Sequence, residues 1–120
     1  MGQNVWIKCG RTFNLLSESP APTGAGTGPF LYKDSPFASF QATIIGTGAI
    51  GATITIQGSN EEPSATGGQQ PVATVLGTIT LSGTTAVSDG FVTTASWKYV
   101  RAVVSAPTGT ITAIRVTMGV

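Results

Sequence analysis

Few side chains in this chain could carry chemistry, and their spacing does not favour it. Cys9 is the one cysteine, and there is no histidine to activate it as a nucleophile; it reads as a small core hydrophobe. Without histidine, most routes to general acid–base and triad catalysis are closed. With a single cysteine besides, no structural zinc site can be assembled. Of the five carboxylates only Glu61 and Glu62 adjoin. Neighbouring residues on an extended chain point apart, so this pair reads as a hydrated loop rather than an acid/base couple. Asp89-Gly90 is a turn signal, and no closely spaced run of oxygen ligands could hold calcium. The glycine runs Gly24-Ala-Gly-Thr-Gly28 and Gly46-Thr-Gly48 lack the lysine and helix of a phosphate loop, and the strand–glycines–helix setting of a dinucleotide fold. The expectation is a non-enzyme with no catalytic residue, no cofactor and no metal.

What remains is binding chemistry. Trp97, Lys98, Tyr99 and Arg101 form the one mixed aromatic and basic group. Trp97 either packs on the edge of the core or offers a stacking platform to a sugar or a protein partner. Phe30, Leu31 and Tyr32 follow a Pro/Gly-rich stretch and either dock it onto an apolar partner surface or return the chain to its own core. Six basic and five acidic residues, spread along the chain, give a net charge of +1. No nucleic-acid or membrane partner follows from that balance. The amount of charge says more than its sign. Charged residues make up 9% of the chain, against about 25% in ordinary soluble domains. Serine and threonine take their place, with 19 Thr and 10 Ser. A surface so poor in charge is weakly protected against association, which suits a subunit packed against neighbours. The alternative is a threonine-rich β-protein that its hydroxyls solvate adequately.

These residues need elements to position them. The 120 residues suit one domain, and a lone cysteine excludes an intrachain disulfide. The N-terminal residues show no signal-peptide pattern, and no stretch approaches the roughly 18 apolar residues of a membrane span. Synthesis in the cytoplasm is expected. Two textures divide the chain. Residues 1–36 hold candidate strands at Val5–Cys9 and Thr12–Leu16, then Glu18-Ser-Pro-Ala-Pro-Thr-Gly-Ala-Gly-Thr-Gly-Pro29. That segment cannot continue a helix or a central strand and reads as an extended arm. Residues 37–120 alternate. Phe40, Ala42 and Ile44, then Ala52, Ile54 and Ile56, then Val75, Gly77, Ile79 and Leu81, then Val100, Ala102 and Val104, then Ile114, Val116 and Met118 each fall on every second position. This is the period of strands with one buried face, and β-branched enrichment agrees. Almost no helix is expected. Gly46-Thr-Gly-Ala-Ile-Gly51, Gly58-Ser-Asn60, Gly67-Gly68, Ser82-Gly83, Asp89-Gly90 and Pro107-Thr-Gly109 carry turn chemistry and punctuate the strands. Many short strands so spaced predict a sandwich, jelly roll or barrel.

The last unit reads as a hairpin. Pro107-Thr108-Gly109 fits a three-residue loop with glycine at positive φ. That register sets Val104 opposite Thr112, Ala102 opposite Ile114, and Val100 opposite Val116, so the apolar sides coincide. It also sets Arg101 opposite Arg115. Like charges across a pair are destabilising without compensation, so a counter-charge is expected from Asp89, Asp34, the Glu61/Glu62 pair or a partner subunit. Otherwise the two guanidiniums splay into solvent.

Several segments together carry a family resemblance: Gly51-Ala-Thr-Ile-Thr-Ile-Gln-Gly-Ser-Asn60, Leu76-Gly-Thr-Ile-Thr-Leu81, Ser88-Asp-Gly-Phe91, Trp97-Lys-Tyr-Val-Arg101 and Val116-Thr-Met-Gly-Val120. Over about residues 40–120 the chain resembles small structural proteins of tailed-bacteriophage virions, in particular β-rich capsid cement or decoration proteins. The resemblance implies an antiparallel jelly-roll-like β-sandwich with an extended N-terminal arm. It would sit on the capsid surface, clamp the major capsid protein and form a homo-oligomer, a dimer or a trimer. Its implied partner contacts are Phe30, Leu31 and Tyr32; with Trp97, Tyr99, Arg101 and Arg115, taken from the residues themselves, they make seven candidate contact residues. A tail or head–tail component and a carbohydrate-binding β-sandwich are the alternatives. For the latter, the Trp97–Arg101 strand also resembles strands of galactose-binding-like jelly rolls.

Overall fold

The computed structural model describes residues 12–16, 22–33, 36–61, 71–93 and 96–120. Within them the protein is all-β and antiparallel. The elements are β1 (Thr12–Asn14), β2 (Gly26–Thr27), β3 (Leu31–Tyr32), β4 (Ala38–Ser59), β5 (Thr74–Thr93) and β6 (Tyr99–Gly119). They form one six-stranded sheet in the order β1-β6-β4-β5, with β2 and β3 also pairing with β6. The expected strand at Val5–Cys9, Cys9 itself and Gly67-Gly68 lie outside the described residues.

The alternating segments are real strands, but they are not many short ones. β4, β5 and β6 have 22, 20 and 21 residues and run through the glycine-rich spacers. Asp89-Gly90 also lies inside β5. Of the expected breaks among the described residues, Gly58-Ser-Asn60 is the one that coincides with a strand end.

Such strands cannot be straight. A 22-residue strand would extend about 70 Å, whereas the longest dimension of the molecule is 47 Å. The spacers are where the chain bends. In β4, a methyl group placed on Gly46 would lie 2.9 Å from Cγ2 of Ile50, and in β5 one on Gly83 would lie 3.0 Å from Cβ of Val87. Residues four apart on a flat strand are separated by about 13 Å. Positive φ values mark the same line across all three strands: Gly48 (72°) in β4, Thr85 (71°) in β5, and Ala106 (50°) and Gly109 (82°) in β6. The sheet is therefore creased once, and each long strand folds back on itself.

The crease preserves which face points inward. Between Ile45↔Ala113 and Thr53↔Ser105 the β4–β6 register shifts several times, yet both strands advance eight positions, so the shifts cancel. Even-numbered residues of β4 therefore face the core on both sides of the crease: Phe40, Ala42 and Ile44 on one, Ile50, Ala52, Ile54 and Ile56 on the other. Ile79 and Leu81 of β5, and Val100, Ala102, Val104, Ile114, Val116 and Met118 of β6, join them. A sheet with one apolar face must cover it. Burying an aliphatic side chain such as Ile54 or Ile114 stabilises by about 2 kcal/mol, and folding the sheet over lets its two halves bury each other.

The hairpin expected at Pro107-Thr108-Gly109 does not form. Residues 99–119 are one strand, and both of its ends pair with β4. The positive φ expected at Gly109 is present, but it serves the crease rather than a chain reversal. Apolar alternation on both sides of a turn-like tripeptide fits either outcome. What selects the crease is that β4 presents a bonding edge to both halves of β6.

Candidate interaction site

The first part of the chain runs along the outer edge of β6. Leu15 N–H donates to Val116 O (2.8 Å), Ile114 N–H to Pro22 O (2.9 Å) and Gly28 N–H to Ala102 O (2.8 Å). Gly26 and Thr27 pair with Val104 and Val103, and Leu31 and Tyr32 with Val100 and Tyr99. The proline- and glycine-rich composition that excludes a central strand suits an edge, where a strand bonds on one side only. Glu18, Ser19, Pro20 and Ala21 of the arm lie outside the described residues.

This edge path gathers six of the seven candidate contact residues at the end where β4 finishes and β6 begins. Leu31 packs against the core. The Tyr32 ring meets Tyr99 edge-on, with centroids 5.7 Å apart, and it is 59% exposed. Lys98 Nζ stands 6.0 Å from the Tyr32 centroid. The Arg101 guanidinium lies 4.5 Å over the Phe30 ring, and its Nε donates to Gln57 Oε1 at 2.7 Å. Trp97 packs against the strand end, since a methyl on Gly58 would fall 2.8 Å from its Cγ. The indole of Trp97 is half-buried there. The backbone of Lys98 is fixed on both sides: its N–H donates to Asn60 Oδ1 (3.0 Å) and its carbonyl accepts from Lys33 N–H (2.6 Å).

Lys33 is a part of this site that the sequence did not signal. It is 3% exposed. Burial, and then the charge of Lys98, hold its ammonium below the ordinary value of 10.5. Lys33, Lys98 and Arg101, half of the basic residues of the chain, thus collect at one end beside Tyr32, Tyr99 and Phe30.

Arg115 does not join them. It pairs with Thr43 while Arg101 pairs with Gln57, on opposite sides of the crease. The expected Arg101–Arg115 opposition is therefore absent, and so is the need for a shared counter-charge. Asp89 accepts instead from Gly90 N–H (2.8 Å) and Glu61 from Val72 N–H (2.7 Å). Asp34 and Glu62 lie outside the described residues. Arg115 borders a polar recess of about 250 Å³ with Asn14, Gln41, Thr43 and Thr117.

A second feature escaped sequence reasoning. An apolar groove of about 570 Å³ opens where β4 begins and β5 and β6 end, lined by Phe37, Val92 and Val120 among others. Phe37 is 61% and Val92 79% exposed. Both fall at positions that alternation assigns to the outer face, so the pattern that found the core passed over them. Among the described residues no group of three potential metal ligands occurs, and no helix is long and apolar enough to cross a membrane.

The fold and this site define a class no finer than an antiparallel all-β protein with an aromatic and cationic end. Comparison with family models, with curated proteins and with solved structures finds no match.

Proposed function

We propose that this chain is a non-enzymatic virion structural protein of the capsid cement or decoration kind, which binds and stabilises a shell of major capsid protein at the surface of a tailed-phage head. The observation that carries this reading is the aromatic and cationic end on an otherwise charge-poor molecule. Tyr32 is exposed beside Lys98, and Arg101 is held over Phe30 by Gln57. A guanidinium and aromatic rings held in place are the groups enriched where protein surfaces bind one another. Held rigid, they lose little freedom on docking. In this reading the creased sheet is a jelly-roll-like β-sandwich in which each long strand contributes to both layers. Repeated copies on a shell gain avidity without strong single contacts.

The test is sedimentation with assembled, expanded capsids. The wild type should co-sediment and raise the capsid melting temperature, and a Tyr32→Ala/Arg101→Ala double variant should do neither. Failure of the wild type to co-sediment would sink the proposal. Copy number separates the tail alternative, since a shell component is present in hundreds of copies and a tail component in few. The carbohydrate alternative is weakened by Trp97, whose indole packs against Gly58 and offers less free face for stacking.

A further inference from the structure

On the Arg115 side of the crease, the outer face of the sheet carries a second group of polar side chains. Four strands lie there in unbroken register. Asn14 of β1 is opposite Thr117 of β6, which is opposite Gln41 of β4. Two residues along, Arg115 of β6 is opposite Thr43 of β4, which is opposite Ser88 of β5. The alternate residues Ala42, Ile44, Val116 and Met118 are buried in the core, so this set belongs to the other face. With strands about 4.8 Å apart and alternate residues about 6.7 Å apart, Asn14, Gln41 and Arg115 frame an area of about 10 by 7 Å at the backbone.

Within that frame lies the recess of about 250 Å³. Its described lining residues are Asn14, Gln41, Thr43, Arg115 and Thr117. They supply one guanidinium, two amides and two hydroxyls. The volume is smaller than the roughly 300 Å³ at which pockets for drug-sized ligands begin, which suits a single small unit. Part of the lining is already held in place. Gln41 Nε2 donates to Ser88 Oγ (2.9 Å), and the hydroxyls of Thr43 and Ser88 share a hydrogen bond (3.0 Å). The Thr117 hydroxyl donates to Gln41 O (3.5 Å). Gln41 keeps its side-chain carbonyl and a second N–H for a ligand. Groups fixed in advance lose little freedom on binding.

We propose that this recess binds an acidic sugar unit, a hexuronate. Arg115 takes its carboxylate, and Asn14, Gln41, Thr43 and Thr117 take its ring hydroxyls. A guanidinium matches a carboxylate with two parallel N–H donors. A polyol needs partners that both donate and accept, which amides and hydroxyls do. None of the five described lining residues is apolar, so a ligand with an apolar body gains nothing here. Arg115 is exposed at the recess, where an incoming carboxylate can reach it. The inference stands apart from the shell-binding reading. Arg101 and Arg115 lie on opposite sides of the crease, and the test needs no capsid.

The experiment is a ¹H–¹⁵N NMR titration of the isolated protein with sodium glucuronate, with glucose and with sodium acetate. Glucuronate should shift the amide signals of Thr43, Arg115 and Thr117 saturably. Glucose lacks the carboxylate and acetate lacks the ring, so each should bind at least about ten-fold more weakly. Acetate also stands for a side-chain carboxylate of a protein. Arg115→Ala should weaken glucuronate binding at least about ten-fold, with the rest of the spectrum unchanged. Thr43→Val keeps the side-chain shape, removes one hydroxyl and should weaken binding with Arg115 still in place. Methyl glucuronide separates the two sources of the sugar: if it binds, the ligand is a residue within a polysaccharide, and if only glucuronate binds, it is a free sugar acid. No saturable shift, shifts away from the recess, equal binding of glucose or acetate, or binding that survives Arg115→Ala would each overturn the proposal. If Thr43→Val misfolds, Arg115→Ala alone decides.

Discussion

The ring of Phe91 lies over the backbone of Gly77 in the same strand, where a methyl group on Gly77 would stand 2.5 Å from Cζ of Phe91. On a flat strand these two positions would be more than about 40 Å apart. Phe91 also packs on Phe40, with centroids 5.3 Å apart. The contact is the most direct mark of the crease, because it joins the two halves of the sheet through one side chain and one vacant Cβ position.

Gly77→Ala should therefore destabilise the protein by about 1–3 kcal/mol, the usual effect of overpacking, although alanine suits a strand better than glycine. The cost should shrink in a Phe91→Ala background. Urea unfolding of the two single variants and the double variant measures the coupling. A value of at least about 1 kcal/mol is expected for residues in contact, and near zero for distant ones.

The crease stores backbone strain at a β-branched residue. Thr85 sits at φ 71°, where a side chain costs roughly 1–2 kcal/mol. Thr85→Gly relieves this but frees the unfolded chain by about 0.4–1 kcal/mol, so a net gain of up to about 1 kcal/mol is expected in thermal unfolding. Gly109→Ala should do the reverse. Its φ is 82°, and the added methyl would run into the carbonyl oxygen of Ala49, which is backbone and cannot turn aside, so a loss above about 2 kcal/mol is expected.

Arg101 and Arg115 should behave as independent residues. Arg101→Ala removes the bond to Gln57 and the contact with Phe30, at a cost of about 1–2 kcal/mol. Arg115 is exposed, and Arg115→Ala should stay within about 0.5 kcal/mol of wild type. The double variant should equal the sum. An Arg115→Ala variant that stabilises the protein, and does so only when Arg101 is present, would reinstate the opposed pair.

Lys33 gives the protein an alkaline signature. Its folded-state pKa is lowered by burial and by Lys98, so between that value and 10.5 the unfolded chain binds more protons than the folded one. Stability contributed through Lys33 therefore rises with pH across this window, and the penalty of burying its charge is fully present below it. The stability of wild type minus that of Lys33→Met, measured by chemical unfolding at a series of pH values, should increase from neutral pH towards 10.5. A flat difference would show that Lys33 keeps its charge at no cost.

Much of this molecule can be read along the chain. Period-two alternation identified the core sides of β4 and β6 and of Gly77, Ile79 and Leu81 in β5, because a strand exposes its two faces to different surroundings one residue at a time; Val75, expected with them, is exposed, because a register shift between Gly77 and Val75 makes Leu76 an extra residue and turns Leu76 to the core instead. The proline and glycine run at 18–29 identified a segment unfit for the middle of a sheet. Absent histidine and scattered carboxylates turned attention from catalysis to surfaces. Phe30, Leu31, Tyr32, Trp97, Tyr99 and Arg101 were found one by one from their types, but nothing local said that they meet.

The tertiary structure decided where the chain reverses and where it only bends. Gly46–Gly51, Ser82-Gly83 and Pro107-Thr-Gly109 carry residues that allow positive φ and a break in the ladder, and such residues suit a hairpin turn and a crease equally. The choice lies with non-local pairing: β4 offers hydrogen-bonding edges to both halves of β5 and β6, and a doubled sheet buries an apolar face that separate hairpins would leave to find other cover. That one choice parted Arg101 from Arg115, set Phe91 on Gly77, and placed β5 last in the sheet among the described strands. None of these follows from neighbours in sequence, because each depends on which distant strand supplies the missing backbone partners.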